Sequence, residues 1–260
     1  MVRSVGRPAP APAVRVCATI TRMARVMSIS ARTRLPELMD DPALEPRRHA
    51  EALRGLARIN RWSGSVRILW GPLRMLARRR GGRTLRVLDL ATGAGDLPIG
   101  LWRRAQRAGL PLELAACDAS PRAVAYARES AARTGAAIRF FEMDALTGDV
   151  PDEYDVVISS LFLHHLDEED AVRLLRRMGT HARQMVLVND LCRNLRGLAL
   201  AYVAPQVLCR SPVVHTDAVL SVRAAYTPDE VRGLAQRAGL DGAVVGPRWP
   251  ARLLLRWQRP

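Results

Sequence analysis

The chain has 260 residues, of which 48% are hydrophobic and 25% charged. That is ordinary globular composition, which excludes collagen-like repeats and a wholly disordered polymer. Its formal charge is +15, and all 40 of its basic residues are arginine. With no lysine and only three asparagines, the sequence reads as one shaped by a GC-rich genome. The charge is also uneven: residues 1–86 hold 19 arginines against 5 acids, whereas residues 87–260 hold 21 against 20. A nucleic-acid partner held by a global positive field is therefore disfavoured for the last two-thirds of the chain.

Residues 1–36 contain no acid and are expected to be a disordered tail, superficially like a transit peptide, or an extension upstream of a start at Met23 or Met27. No apolar run follows the early arginines, so export is not expected. The longest uncharged apolar stretch, Gly197 to Cys209, has 13 residues and is broken by Pro205. A bilayer span needs about 20. Cys17, Cys117, Cys192 and Cys209 show no CxxC spacing, which argues against a disulfide framework or a zinc site, and no other ligand cluster is visible. The expectation is a cytoplasmic protein without a metal.

Leu35 to about Arg80 reads as helical, with Leu53, Leu56 and Ala57 on one face and Val66, Leu69, Trp70 and Leu73 on another; Gly71-Pro72 is expected to interrupt the second run. Residues 37–84 thus form an N-terminal helical cap, closed by a basic linker from Arg78 to Arg83. From Leu85 strands alternate with helices. Leu85 to Leu90 is a buried strand ended by Gly93-Ala94-Gly95, with Asp96 placed to cap the next helix. Leu112 to Cys117 is the second strand, followed by Ser120 as cap and Pro121 at the first helical position. Ile138 to Met143 and Tyr154 to Ser160 are the third and fourth strands. A helix opens at Asp167 and ends at Gly179, and Gln184 to Val188 is the fifth strand. Thr227-Pro228-Asp229-Glu230 is a capping box whose helix stops at Gly239. Ala243 to Val245 and Arg252 to Trp257 close the chain. The pattern predicts an α/β fold: a Rossmann-like, doubly wound, mostly parallel seven-stranded sheet over residues 85–260. Residues 193–227 are too long for a plain connection and form a lid-like insertion.

In such a sheet, ligands bind beyond the carboxyl ends of the strands. The turn Asp89-Leu90-Ala91-Thr92-Gly93-Ala94-Gly95-Asp96 lacks the third glycine of a dinucleotide fingerprint, where Pro98 stands, and a Walker loop is excluded because there is no lysine. Its acids suit a cationic ligand better than a diphosphate. Asp89 to Gly95 resembles the first motif of class I S-adenosylmethionine (SAM) methyltransferases, D-x-G-x-G-x-G, with Ala91 where glycine is usual and only a slight backbone adjustment expected there. The resemblance extends to Asp118, at the end of the second strand, and to Asp144 after the third. It implies SAM as cofactor, with Asp118 on the ribose hydroxyls and Asp144 on the adenine amino group. The binding set so implied is Asp89, Ala91, Thr92, Gly93, Gly95, Asp118, Ala119, Asp144, Ala145 and Ser160.

After the fourth strand comes Ser159-Ser160-Leu161-Phe162-Leu163-His164-His165-Leu166. It lacks the N-P-P-Y type motif of adenine and glutamine amino-methyltransferases, the Pro-Cys pair of cytosine enzymes and the paired glutamates of arginine methyltransferases. It resembles small-molecule methyltransferases, and Arg58 to Gly64 with Leu69-Trp70 resembles the N-terminal segment of ubiquinone/menaquinone C-methyltransferases. The expected activity is methyl transfer to oxygen or carbon of a small lipophilic metabolite such as a phenol, quinol or polyketide. His164, His165 and Asp190 are the candidate general bases, an imidazole titrating near 6.5 when unperturbed. Two other readings stand beside this one: an RNA methyltransferase using the basic N-terminal region, and a SAM-fold binding protein without turnover.

Overall fold

A computed structural model of the chain describes residues 29–40, 44–151 and 153–260. Contacts divide the chain into residues 1–31 and a compact unit of residues 32–260. The tail expected over residues 1–36 lies outside the described residues up to position 28; residues 32–36 belong to the compact unit. Every helix and strand among the described residues lies in that second unit.

Two α-helices open it, α1 (Pro46–Ser63) and α2 (Ser65–Arg79). The break falls at Gly64, whose φ of 76° closes α1 and starts α2, and not at Gly71-Pro72 as the sequence suggested. Pro72 lies inside α2, beside the buried Leu69, Trp70 and Leu73. Packing of that face against the sheet offsets the one backbone hydrogen bond a proline removes.

The sheet is built from β1 (Leu85–Leu90), β2 (Leu112–Asp118), β3 (Ile138–Glu142), β4 (Tyr154–Ser160), β5 (Ala182–Leu191), β6 (Val244–Arg248) and β7 (Arg252–Gln258). Its order is β3-β2-β1-β4-β5-β7-β6. The first five strands run parallel, and β7 pairs antiparallel with both β5 and β6. Strand order reverses between β1 and β4, which sets the ligand crevice at the carboxyl ends of β1, β2 and β4.

Both parities of the central strands are apolar because both faces are covered. Leu85, Val87, Val156, Ile158, Met185 and Leu187 face α2 and α3 (Asp96–Ala108). Leu88, Leu90, Val157, Val186 and Val188 face the opposite side, against α5 (Glu168–His181) and α8 (Pro228–Arg237). Helix α4 (Pro121–Thr134) presses Val124 and Ala127 on Ala116 and Phe140. The expected caps form: Ser120 Oγ accepts from Ala123 N, Asp167 Oδ1 from Asp170 N, and Thr227 and Glu230 complete their box. Helix α5 runs through Gly179 to His181, since nothing after that glycine takes a left-handed turn until the chain enters β5 directly.

Residues 193–227 fold as two helices, α6 (Leu195–Leu208) and α7 (Pro212–Ala224). They pack on α1, where a side chain at Gly55 would meet Cys209 Sγ at 2.2 Å. No helix among the described residues is long and apolar enough to cross a membrane.

Candidate active site

The turn after β1 compresses three left-handed residues into five positions: Ala91 at φ 55°, Gly93 at 56° and Gly95 at 73°. Thr92 N donates to Cys117 O at 2.9 Å, and Gly95 N to Thr92 O at 3.2 Å, so the turn is anchored on the end of β2. Glycine at 95 is required twice over, by its φ and because an added Cβ would lie 2.8 Å from Ala127 Cβ. At Gly93 an added Cβ would meet nothing within 4 Å. Ala91 does not adjust its backbone as expected: it adopts the left-handed conformation a glycine would take, at a cost of about 1–2 kcal/mol for a residue with a Cβ.

Four acids converge on this turn. Asp89 is buried; its Oδ2 accepts from Thr92 Oγ1 at 2.7 Å, while Oδ1 has no hydrogen-bond partner among the described residues. Burial, with the charges of Asp96 and Asp118 adding to it, pushes the Asp89 carboxyl up to about 8. Asp118 Oδ2 accepts from Gly93 N at 2.8 Å and Oδ1 from Ser120 N at 2.9 Å, fixing the carboxylate across the mouth of the turn. Asp144 is exposed just past β3, its Oδ1 accepting from Leu146 N at 2.7 Å. Asp96 is not the cap the sequence suggested. Gly95 takes the cap position, and Asp96 stands in the first turn of α3, where burial raises its carboxyl while the Asn60 side chain and Arg252 oppose the rise.

On the facing side, β4 and β5 carry the other candidates. Ser160 Oγ accepts from Asn189 Nδ2 at 2.8 Å. Leu161 then turns at φ 62° into the short helical turn Leu163–His165. Buried His164 places Nδ1 2.7 Å from Asp190 Oδ1, and its Nε2 is 3.9 Å from Glu37 Oε1. Burial works against the imidazolium, but these two carboxylates outweigh it, so the His164 pKa is raised. His165, its ring centroid 4.2 Å from that of His164, is driven the other way, to about 3, chiefly by burial and then by its neighbour. For Asp190 burial is again outweighed, by His164, and its pKa is lowered.

A single cavity of about 790 Å³ joins these groups. It is lined by Asp89, Ala91, Thr92, Gly93, Asp118, Ala119, Asp144, Ala145, Ser160, His164 and His165. Gly95 and Asp190 lie outside the lining, the first packed on α4 and the second behind His164. The sequence missed several lining residues: Asp96, Ser65, Arg252 and Glu37. Nor did it pair Glu37 with the two histidines, yet Glu37, His164 and His165 bring their side-chain ligand atoms within 4.8 Å of one another. Glu37 is 127 positions away from His164, and no local spacing signals it. The remaining lining is largely apolar, from Met39, Leu44 and Ile59 on one side and Leu200, Ala204 and Pro205 of α6 on the other.

Residues 87–184 match the methyltransferase domain family, from within β1 to the start of β5, including the glycine turn and Asp118. Over 105 residues the chain is 38% identical to demethylmenaquinone methyltransferase of Thermus thermophilus, covering 40% of this chain and 46% of that one. Over 76 residues it is 38% identical to release factor glutamine methyltransferase of Deinococcus radiodurans, covering 29% and 25%. The chain thus matches less than half the length of either methyltransferase. Among solved structures, the SAM-dependent methyltransferase SibL superposes with a TM-score of 0.62 at 21% identity, over 96% of this chain and 71% of that one. Magnesium protoporphyrin IX methyltransferase from Synechocystis with bound SAM gives 0.52 at 16%, over 98% and 100%. These two likenesses show a shared overall fold.

Proposed function

We propose that this chain transfers a methyl group from SAM to an oxygen or carbon atom of a small, largely apolar metabolite. One observation carries the reading: a single cavity joins the acid-lined turn after β1 to an apolar lining from the cap and α6. The residues fit the cofactor. Asp89 Oδ1 is a buried carboxyl oxygen with no partner among the described residues, which an ammonium group would satisfy. Gly93 offers bare backbone to a close-lying ligand. Asp118, pinned by two backbone N–H groups, retains lone pairs for a pair of ribose hydroxyls, and Asp144 is available to an adenine amino group.

SAM supplies a methyl group already activated by its sulfonium, so the protein's tasks are to align the acceptor and accommodate its proton. His164 and His165 stand in the cavity wall for this purpose. Asp190 acts through His164 and touches no ligand space of its own; it is a positioning residue, holding Nδ1 and directing Nε2 towards Glu37 and the cavity. The apolar faces of Ile59 and Leu200 favour a phenol, quinol or polyketide over a charged acceptor. The demethylmenaquinone-acting relative supports a quinol-like acceptor without naming it.

Isothermal titration with SAM tests the cofactor. The parent should bind one equivalent, and Asp118→Ala should weaken binding at least tenfold. A well-folded parent that binds no SAM, or an unaffected Asp118→Ala, overturns the reading.

A further inference from the structure

We propose that Glu37, His164 and His165 form a binding site for one divalent transition-metal ion, of the Zn²⁺ or Co²⁺ kind, at the wall of the cavity. Their ligand atoms lie within 4.8 Å of one another, and all three residues line the cavity. The gap of 3.9 Å between His164 Nε2 and Glu37 Oε1 is too long for a hydrogen bond. It is close to a bridging distance: with metal–ligand bonds of about 2.0–2.2 Å, two ligand atoms of a tetrahedral site stand about 3.4 Å apart. Small rotations of side chains already facing one another would close it.

The surroundings have the form of a built site. Asp190 Oδ1 lies 2.7 Å from His164 Nδ1, the carboxylate–histidine pairing that fixes a ligand's tautomer and directs its other nitrogen at a metal. The backbone bearing both histidines is held from three sides. Arg32 Nη2 donates to His164 O at 2.9 Å and to Leu166 O at 2.6 Å, Arg34 Nη1 to His165 O at 2.8 Å, and Tyr226 Oη to Leu166 O at 3.0 Å. Glu37 is positioned as firmly: Asp217 accepts from the backbone N–H groups of Leu38 and Met39, and Glu37 Oε1 accepts from Ser221 Oγ. Rigid support of this kind is what a metal site needs.

Two imidazoles and one carboxylate suit Zn²⁺, Co²⁺ or Fe²⁺ over Mg²⁺ or Ca²⁺, which prefer all-oxygen shells. Three protein ligands leave at least one position open to the cavity, the arrangement of a catalytic rather than a structural site. A hydroxyl of the acceptor bound there would be acidified by the ion and oriented for attack, so with the ion in place His164 and His165 serve as its ligands and not as proton acceptors. That role rests on the methyl-transfer reading; the metal binding does not.

The test is titration of the full chain, stripped with a chelator, by CoCl₂ followed through visible absorption, with ZnCl₂ as competitor. The expected result is one Co²⁺ per chain with the bands of a four- or five-coordinate ion, displaced by Zn²⁺ and not by excess Mg²⁺. His165→Ala and Glu37→Gln should each weaken binding more than tenfold, and Asp190→Asn by 10- to 100-fold. If the buried Asp190 variant fails to fold, the two cavity-wall variants decide. Asp118→Ala should bind Co²⁺ as the parent does, so loss of SAM binding and loss of metal binding are read separately. No saturable binding by the folded parent, or binding unchanged in both His165→Ala and Glu37→Gln, overturns the proposal.

Discussion

The Asp89 carboxyl gives the account its most quantitative consequence. Burial, with Asp96 and Asp118 nearby and only the Thr92 hydroxyl opposing, raises it to about 8, so in the free protein it is largely protonated at pH 6. A cationic cofactor binds the ionised form. Well below pH 8 each unit of acidification therefore weakens SAM binding by a factor that approaches about tenfold, or about 1.4 kcal/mol. With a carboxyl near 8, its ionised fraction falls about 25-fold from pH 7.5 to 6.0, and the dissociation constant should rise by about that factor. Above pH 8 the ligand's own amino group deprotonates, so affinity should peak near there. Asp89→Asn abolishes the slope and weakens binding at pH 7.5.

Stability of the free protein moves the opposite way. Between about 4 and about 8 the folded state holds a proton that the unfolded state has released, so stability falls as pH rises through that window. Asp89→Asn should thus melt higher than the parent at pH 8. Isothermal titration at several pH values, with thermal melts alongside, checks both signs. A SAM affinity that is flat between pH 6.0 and 7.5, or a slope that survives in Asp89→Asn, would refute the reasoning.

Three further outcomes test the architecture by urea denaturation. Gly95→Ala places a Cβ 2.8 Å from Ala127 and 3.1 Å from the Phe140 ring at a φ of 73°, and should cost about 3 kcal/mol. Ala91→Gly relieves a left-handed alanine and, after the added freedom of the unfolded chain, should be neutral to stabilising by up to about 1 kcal/mol; a marked loss would show that the strain is not there. Arg32→Ala removes three bonds to carbonyl oxygens and a cation stacked 3.8 Å over Tyr226, and should cost about 2–3 kcal/mol. If Arg32→Ala matches the parent, residues 32–37 do not brace the histidine turn.

Much of the fold was legible because it is written in local signals. Apolar runs of strand length, a glycine turn after the first, and side-chain caps such as Ser120 and Thr227 each act within a few residues. The acids at the strand ends were legible for the same reason, and the structure brings Asp89, Asp118 and Asp144 to one cavity. What escaped depends on tertiary contact. Pro72 was taken for a break because local propensity disfavours it, yet the buried face of α2 carries the helix through. Asp96 has the side chain of a cap, but the left-handed Gly95 claims that position. Arg32 sits in the arginine-rich segment expected to be a tail and Glu37 at the start of the expected cap, and only the folded chain brings them to His164. No periodicity encodes such a pairing.

The most direct test of methyl transfer is incubation of the full chain with SAM carrying a labelled methyl group and a panel of phenols, quinols and enolised polyketides, followed by mass detection. The account predicts an acceptor heavier by one labelled methyl group in place of a hydrogen, with S-adenosylhomocysteine formed in equal amount. Protein that binds SAM yet forms no methylated product and no S-adenosylhomocysteine above the protein-free background, with any acceptor, would contradict it.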